Sequence, residues 1–329
     1  MIINILIYSS INFLILFLIS KISYNLNLVD EPNKRKIHLT PTAYTGGIGL
    51  CLIYLMGVFL FDFSSEKLNL ILSIAFLIGI VGFVDDKYNL NVGSKLSLQV
   101  IPIIYLIIIE NLSLNHMGNY NYFKLELNSF SIPFTLLAIL FLINSFNYFD
   151  GLDGVLSFLT ISTLGILFFL TPNENIKLFL IIILIPILIF LCFNFSIFKL
   201  PKLFLGDSGS LLLGFIIAFT LIYLSIQKII HPILLAFSIS IFVYEFLSVN
   251  LIRLKNKKNI FSAGQDHLHH LLFKNTKSIF KTNLFISLAN IICFIIGYIS
   301  FLLISPLASL ILFIILFIIF FILRNMYSN

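Results

Sequence analysis

The sequence predicts an all-α, polytopic integral membrane protein, and three observations predict it. Of its 329 residues, 60% are hydrophobic and only 10% charged, whereas roughly a quarter of a soluble domain is charged. The mean hydropathy is +1.09. The apolar runs are continuous and approach the ~20 residues that a bilayer core asks of a helix; a membrane barrel would show alternating segments of about ten. Finally, 16 of the 20 Lys and Arg residues fall in alternate breaks between runs, the bias expected of cytoplasmic loops. The net charge of +6 then reflects topology and attraction to anionic lipid or substrate. No basic domain or aromatic-interleaved patch points to nucleic acid.

In chain order, eleven spans are expected near 2–24, 46–61, 68–84, 97–110, 131–147, 155–171, 177–195, 209–225, 232–251, 282–304 and 306–323. The N-terminus is then outside and the C-terminus cytoplasmic. The first run has no preceding basic residue and no small-residue cleavage site, so it is expected to be a membrane helix, not a leader. No polar segment is long enough for a separate core. We therefore expect one polytopic domain over 1–329, with inner loops near 25–45, 85–96, 144–154, 196–210 and 252–281. The outer break 111–130, with Gly118 between mixed stretches, suits a small hairpin. Cys51, Cys192 and Cys293 lie far apart in apolar runs and read as small hydrophobes. No internal repeat is visible, which weakens an inverted-repeat transporter.

The polar residues of the inner loops carry the chemistry. The first loop holds Lys34, Arg35, Lys36 and His38, then Gly46-Gly47; the cations suit a phosphate or equally a stop-transfer cluster. The second opens with Asp85-Asp86, followed by Lys95 and Gln99. Adjacent carboxylates repel unless a cation, a proton or hydrogen bonds compensate. The third runs Asn144, Asn147, Asp150-Gly151 and Asp153-Gly154, a spacing of three that shares one face on a helical turn. The fourth, after Asn194, is Phe204-Leu205-Gly206-Asp207-Ser208-Gly209-Ser210. It reads as a helix cap, or as a carboxylate for a metal with amides for a phosphate. The fifth is Asp266-His267-Leu268-His269-His270. That spacing does not match the i, i+4 zinc pattern, but imidazoles can donate to phosphate oxygens.

Asp85, Asp86, Asp150, Asp153 and Asp207 are expected to converge on one membrane face. Carboxylates there are costly and would repel an anionic substrate unless a hard divalent cation bridged them to phosphate. Mg²⁺ binds through one or two carboxylates plus phosphate and water. Arg35, His38, Lys95 and the histidines would neutralise the remaining phosphate charge, a division of labour that suits phosphoryl transfer.

In order and spacing, segments 30–47, 85–99, 144–154, 194–210 and 267–270 resemble the cytoplasmic motifs of the polyprenyl-phosphate N-acetylhexosamine-1-phosphate transferases, glycosyltransferase family 4. The resemblance implies transfer of a sugar-1-phosphate from a UDP-N-acetylhexosamine to undecaprenyl phosphate, with release of UMP. It also implies Mg²⁺ (Mn²⁺ as substitute), a bacterial inner-membrane location with a cytoplasmic site, entry into envelope polysaccharide synthesis, and compatibility with a homodimer. Asp207 then corresponds to the metal ligand, with Asp150 as the second expected ligand, and Asp85 and Asp86 to the pair that positions or deprotonates the lipid phosphate. Asn147, Asp150, Asp153 and Asn194 correspond to polar site residues, with Asn144 as a further substrate-binding candidate, Lys95 to a basic, cationic residue near the phosphates, and Phe204 to the ring that stacks on uracil. His267, His269 and His270 correspond to the motif near the diphosphate, with His267 among the catalytic group.

The His-Leu-His-His form is closer to the N-acetylglucosamine branch than to the phospho-N-acetylmuramoyl-pentapeptide branch. Gly264-Gln265 replaces a common Asp-Arg, which leaves other N-acetylhexosamines such as FucNAc or QuiNAc open; Ala43 replaces a common Pro. A carboxylate-relay transporter is the rival from another class, with Glu245 inside the ninth span as its candidate. A catalytically inactive scaffold is the third.

Overall fold

The computed structural model describes residues 2–32, 40–259, 264 and 266–328. The chain begins with α1 (Ile2–Asn25) and the short antiparallel pair β1 (Val29–Asp30) and β2 (Thr42–Ala43). It continues through α2 (Gly46–Leu60), α3 (Glu66–Tyr88) and α4 (Val92–Ile108). The outer hairpin β3 (His116–Asn119) and β4 (Lys124–Glu126) follows, then α5 (Ser131–Phe149), α6 (Val155–Leu170), α7 (Glu174–Asn194) and α8 (Gly206–Ile226). The last helices are α9 (Pro232–Ser238), α10 (Ser240–Lys255), α11 (Leu268–Thr276), α12 (Ile279–Leu303) and α13 (Pro306–Ser328).

The all-α expectation holds, since every one of the expected apolar segments coincides with helix. Hydrocarbon offers no partner to a backbone N–H, so an apolar run closes its hydrogen bonds on itself. Among the described residues, seven helices are long and apolar enough to cross a membrane, or eight if α9 and α10, bent by 72° at their break, form one span. The shorter apolar helices α2, α4 and α6 correspond to the remaining expected segments. The hairpin expected between 111 and 130 is β3–β4.

Three local departures from expectation bear on function. Helix α4 starts at Val92 rather than near 97, because Asn91 Oδ1 accepts the Ser94 N–H at 2.9 Å; Lys95 therefore sits in its first turn. Helix α5 stops at Phe149, and Asp150 is its cap with φ −86° and ψ 55°. Only Asn144 and Asn147 thus share a helical face; Asp153 lies in the turn that Gly154 closes at φ 74°. The long inner loop contains α11, where Leu268, Leu271 and Leu272 recur at helical spacing and the helix packs on α12 and α13.

The chain divides into two compact units. The first comprises Met1–Ile103 and Asn173–Ile217, and α2 touches α1, α3 and α7 within it. Glycines let α2 and α3 approach the start of α8 closely: a Cβ on Gly47 would overlap Gly209 and Ser208, and one on Gly82 would overlap Asp207 and Ser208. The second comprises Ile104–Pro172 and Ala218–Asn329, where α12 touches α6, α9, α10, α11 and α13.

Candidate active site

In the first unit, the end of α3 meets the start of α8. Asp86 Oδ1 accepts the N–H of Asp207 at 2.9 Å and its Oδ2 that of Ser208 at 3.2 Å. A carboxylate borrowed from another helix thus caps α8, where the helix leaves amides unsatisfied and presents its positive end. Gly206 stands at φ 71°, and a Cβ there would meet Asp86 Oδ2 at 2.7 Å. The amides expected to be open to a phosphate at 207 and 208 are therefore committed to Asp86. Next to this cap, Lys95 Nζ bridges Asp85 Oδ2 at 2.7 Å and Asp207 Oδ2 at shorter range. Asp85 Oδ1 also accepts the Leu90 N–H at 2.8 Å, which closes the left-handed end of α3 at Asn89. Two carboxylates thus converge on one cation.

The segment entering α8 is pinned to the one entering α2. Phe204 N donates to Ala43 O at 2.8 Å, Gly46 N to Phe204 O at 3.0 Å, and Gly47 N to Leu205 O at 2.9 Å. Asn194 is buried and its Nδ2 donates to Leu203 O at 2.8 Å. It holds the loop that carries Phe204, whose ring lies half-buried with Lys202 Nζ 5.3 Å from its centroid. Gln99, one turn beyond Lys95, is fully buried with neither side-chain amide atom hydrogen-bonded.

In the second unit, the turn after α5 meets α11. A Cβ on Gly151 would overlap His269 and come within 3.1 Å of His270 Nε2, so only glycine lets this backbone reach the rings. Asn283 on α12 donates to Asp153 O at 2.8 Å and steadies the turn. His267 caps α11, and its ring lies 4.7 Å from that of Tyr148 and 5.8 Å from that of His269. Among the described residues, neither ring nitrogen of His269, nor Nδ1 of His267, has a hydrogen-bond partner. Burial lowers His267 to about 4, and lowers His269 and His270 as well, the last helped by Lys274. The rings are therefore neutral near pH 7, and each can donate through one nitrogen. Behind them, Asp266 is held down at about 2, chiefly by its hydrogen bonds from Arg253.

Asp85, Asp86, Lys95, Asn194, Phe204 and Asp207 thus belong to the first unit, and Asn144, Asn147, Asp150, Asp153, His267, His269 and His270 to the second. Asn144 Nδ2 donates back to Leu140 O at 2.7 Å. Lys34, Arg35, Lys36, His38 and Gln265 lie outside the described residues. Among the described residues, no three of His, Cys, Asp and Glu gather as metal ligands. Sequence reasoning passed over Asn283, Arg253 and Arg324. The available signal was the cost of an amide or guanidinium within or at the end of an apolar run.

The chain is similar to known proteins over most of its length. A family model described as glycosyl transferase family 4 matches residues 68–225. An undecaprenyl-phosphate alpha-N-acetylglucosaminyl 1-phosphate transferase of Escherichia coli O157:H7 is 28% identical over 272 residues, 79% of this chain and 73% of the relative. The Yersinia pestis protein of the same name is 27% identical over 299 residues, 86% and 80% of the two chains. A Bacillus subtilis (strain 168) protein, named as a probable undecaprenyl-phosphate N-acetylglucosaminyl 1-phosphate transferase, is 29% identical over 262 residues, 78% and 72%.

Proposed function

We propose that the chain is a member of glycosyl transferase family 4, whose model matches residues 68–225, and that, like the relatives named for this activity, it transfers N-acetylglucosamine-1-phosphate from its UDP-sugar to undecaprenyl phosphate. The products are the polyprenyl-diphosphate-sugar and UMP. The observation that carries this reading is the convergence of Asp85 and Asp207 on Lys95 at the start of α8. An oxygen of the lipid phosphate attacks the β-phosphorus of the UDP-sugar. The bond from that phosphorus to the bridging oxygen breaks, and UMP leaves with the electron pair. Little covalent work falls to the protein; it positions the reactants and neutralises charge.

Lys95 holds Asp85 and Asp207 together, and its ammonium is free to turn toward a phosphate once another cation takes its place. Asp86 fixes the direction of Asp207 by accepting the amide N–H groups on either side of its Cα, those of Asp207 and Ser208. Two converging carboxylates suit Mg²⁺, which needs few protein ligands when phosphate supplies the rest. Asp207 and Asp85 would hold it, and it would supply charge neutralisation at the departing UMP. Phe204 offers a ring face to the uracil. The neutral histidines offer N–H donors to the diphosphate, and Gly151 lets the turn carrying Asp150 and Asp153 lie against them.

The bias of Lys and Arg supports a cytoplasmic site in a bacterial inner membrane. It also suits a product that enters envelope polysaccharide synthesis. The transporter reading loses its candidate proton carrier, because Glu245 is bound by Arg324 on two sides. Purified protein is expected to release UMP from UDP-N-acetylglucosamine only with both Mg²⁺ and undecaprenyl phosphate present. A panel of UDP-sugars including FucNAc, QuiNAc and MurNAc-pentapeptide donors reads the specificity. Release of no UMP from any donor would overturn the proposal.

A further inference from the structure

The histidine helix is held from behind by groups that the transfer reaction does not use. Glu245 on α10 and Arg324 on α13 are both buried, and they pair through Arg324 Nε to Glu245 Oε2 at 2.8 Å and Nη2 to Oε1 at 3.2 Å. Each has a second arm. Glu245 Oε1 accepts the N–H of Leu268 at 2.8 Å, and Arg324 Nη2 donates to the carbonyl of Asp266 at 2.5 Å. The Asp266 carboxylate is itself gripped by Arg253, Nε to Oδ2 at 3.0 Å and Nη2 to Oδ1 at 2.7 Å. Three consecutive residues, 266–268, are therefore fastened at three points to α10 and α13. His267 lies in the middle of them; His269 and His270 occupy the first turn that follows.

We propose that Glu245 and Arg324 are positioning residues for the transfer reaction: by anchoring the backbone on both sides of His267, they set where the rings of His267, His269 and His270 stand. The inference rests on the transferase reading and adds two residues to it, neither of which touches substrate.

Stability alone is a poor reason for this pair. A buried ion pair can often be replaced by apolar groups of similar volume with little loss or even a gain. Apolar groups could fill the space but could not bind the Leu268 amide or the Asp266 carbonyl. Helix α11 has nine residues, and isolated helices shorter than ~12–15 are marginal by themselves. Its position therefore depends on what holds its start. The tolerance is small on the side facing the Asp150–Asp153 turn, where Gly151 leaves no room for a Cβ beside His269.

The test is the double substitution Glu245→Met with Arg324→Met, which removes both charges together and so leaves neither buried alone. The expected result is a Tm within a few degrees of wild type and an unchanged KM for undecaprenyl phosphate. The kcat should fall at least tenfold, since a catalytic group displaced by ~1 Å can cost on the order of 100-fold. Glu245→Gln with Arg324→Met keeps an acceptor for the Leu268 amide and should recover part of the rate. A readout independent of activity is the rate at which diethyl pyrocarbonate modifies His269, followed by mass spectrometry; it should rise in the Met pair and return toward wild type in the Gln variant. Wild-type kcat and wild-type His269 modification in a folded Met pair overturn the proposal. If the Met pair does not fold, Arg324→Lys decides: it keeps a charge opposite Glu245 but loses the second arm, so an unchanged kcat and His269 rate would equally overturn it. A wild-type protein that releases no UMP defeats the transferase reading, while the modification rates still decide the positioning.

Discussion

The acidic cluster of the first unit and the histidine cluster of the second solve opposite problems. In the first, charges of opposite sign are in contact: Lys95 lies between Asp85 and Asp207, and Asp86 faces the positive end of α8. In the second, the imidazole rings are neutral, with His269 buried and His267 and His270 partly so; several of their nitrogens have no hydrogen-bond partner among the described residues, and the charges stand one layer back in Arg253–Asp266 and Glu245–Arg324. The difference teaches how each cluster would meet an anionic diphosphate. The acidic cluster must exchange its internal cation for an external one before it can bind a phosphate. The histidine cluster can donate without any exchange, because its charges are already satisfied elsewhere.

The largest effect that could break this comparison is expected at Asp207. Asp207→Asn removes one of the two carboxylates that meet at Lys95, and UMP release should fall by about 100-fold or more, as when a preorganised charge is lost from an active site. Undiminished turnover would remove the metal assignment. Asp86 should behave differently from Asp85. Asp86→Ala strips the cap from α8, at a cost of about 0.5–2 kcal/mol for a lost N-cap, so both Tm and rate should drop. Asp85→Asn retains an acceptor for the Leu90 amide and should lower the rate with a smaller change in Tm. Equal Tm changes in the two variants would show that Asp86 is not the structural member of the pair.

Packing supplies the next test. Gly82→Ala forces a Cβ into Asp207 and Ser208, and overpacking of this kind costs about 1–3 kcal/mol. The variant should lose rate along with stability, because the displaced backbone carries Asp207. Gly165→Ala, with nothing near its Cβ, is the matched control and should leave both unchanged.

The smallest expected effect is on pH dependence, and it sharpens the contrast. His267 titrates near 4 in the folded protein and near 6.5 when unfolded. Between those values the unfolded chain binds the extra proton, so stability falls as pH drops from about 6.5 toward 4. Asp266, held at about 2, contributes stability that is lost only below the ordinary carboxylate range. A Tm series from pH 7 to pH 4 should show the first decline in wild type and a weaker one in His267→Asn. An identical decline in both would remove His267 as its source.

Much of this was legible in the sequence. The apolar runs fixed the helices, since hydrocarbon leaves the backbone no other way to satisfy its hydrogen bonds. Asp85, Lys95, Asp207 and the histidines stood out because a polar group beside a bilayer carries a cost that demands a partner. Two readings were less accurate. The even spacing of Asn144, Asn147, Asp150 and Asp153 suggested a single helical face, but α5 ends at Phe149 and the turn closed by Gly154 takes both aspartates off that face. The Gly206–Ser210 segment suggested free amides, yet their partner, Asp86, lies 121 residues away in sequence.

The sequence by itself determined which stretches are helices and which side chains are chemically able to handle a diphosphate, because both follow from local composition and the cost of burial. Only the tertiary structure decided how those side chains are employed. It showed Asp86 spent on the end of α8, Lys95 shared by two carboxylates, and Glu245 joined to Arg324 across two helices. These pairings join residues remote along the chain, and no local pattern encodes which of several acids a given amide or cation will meet.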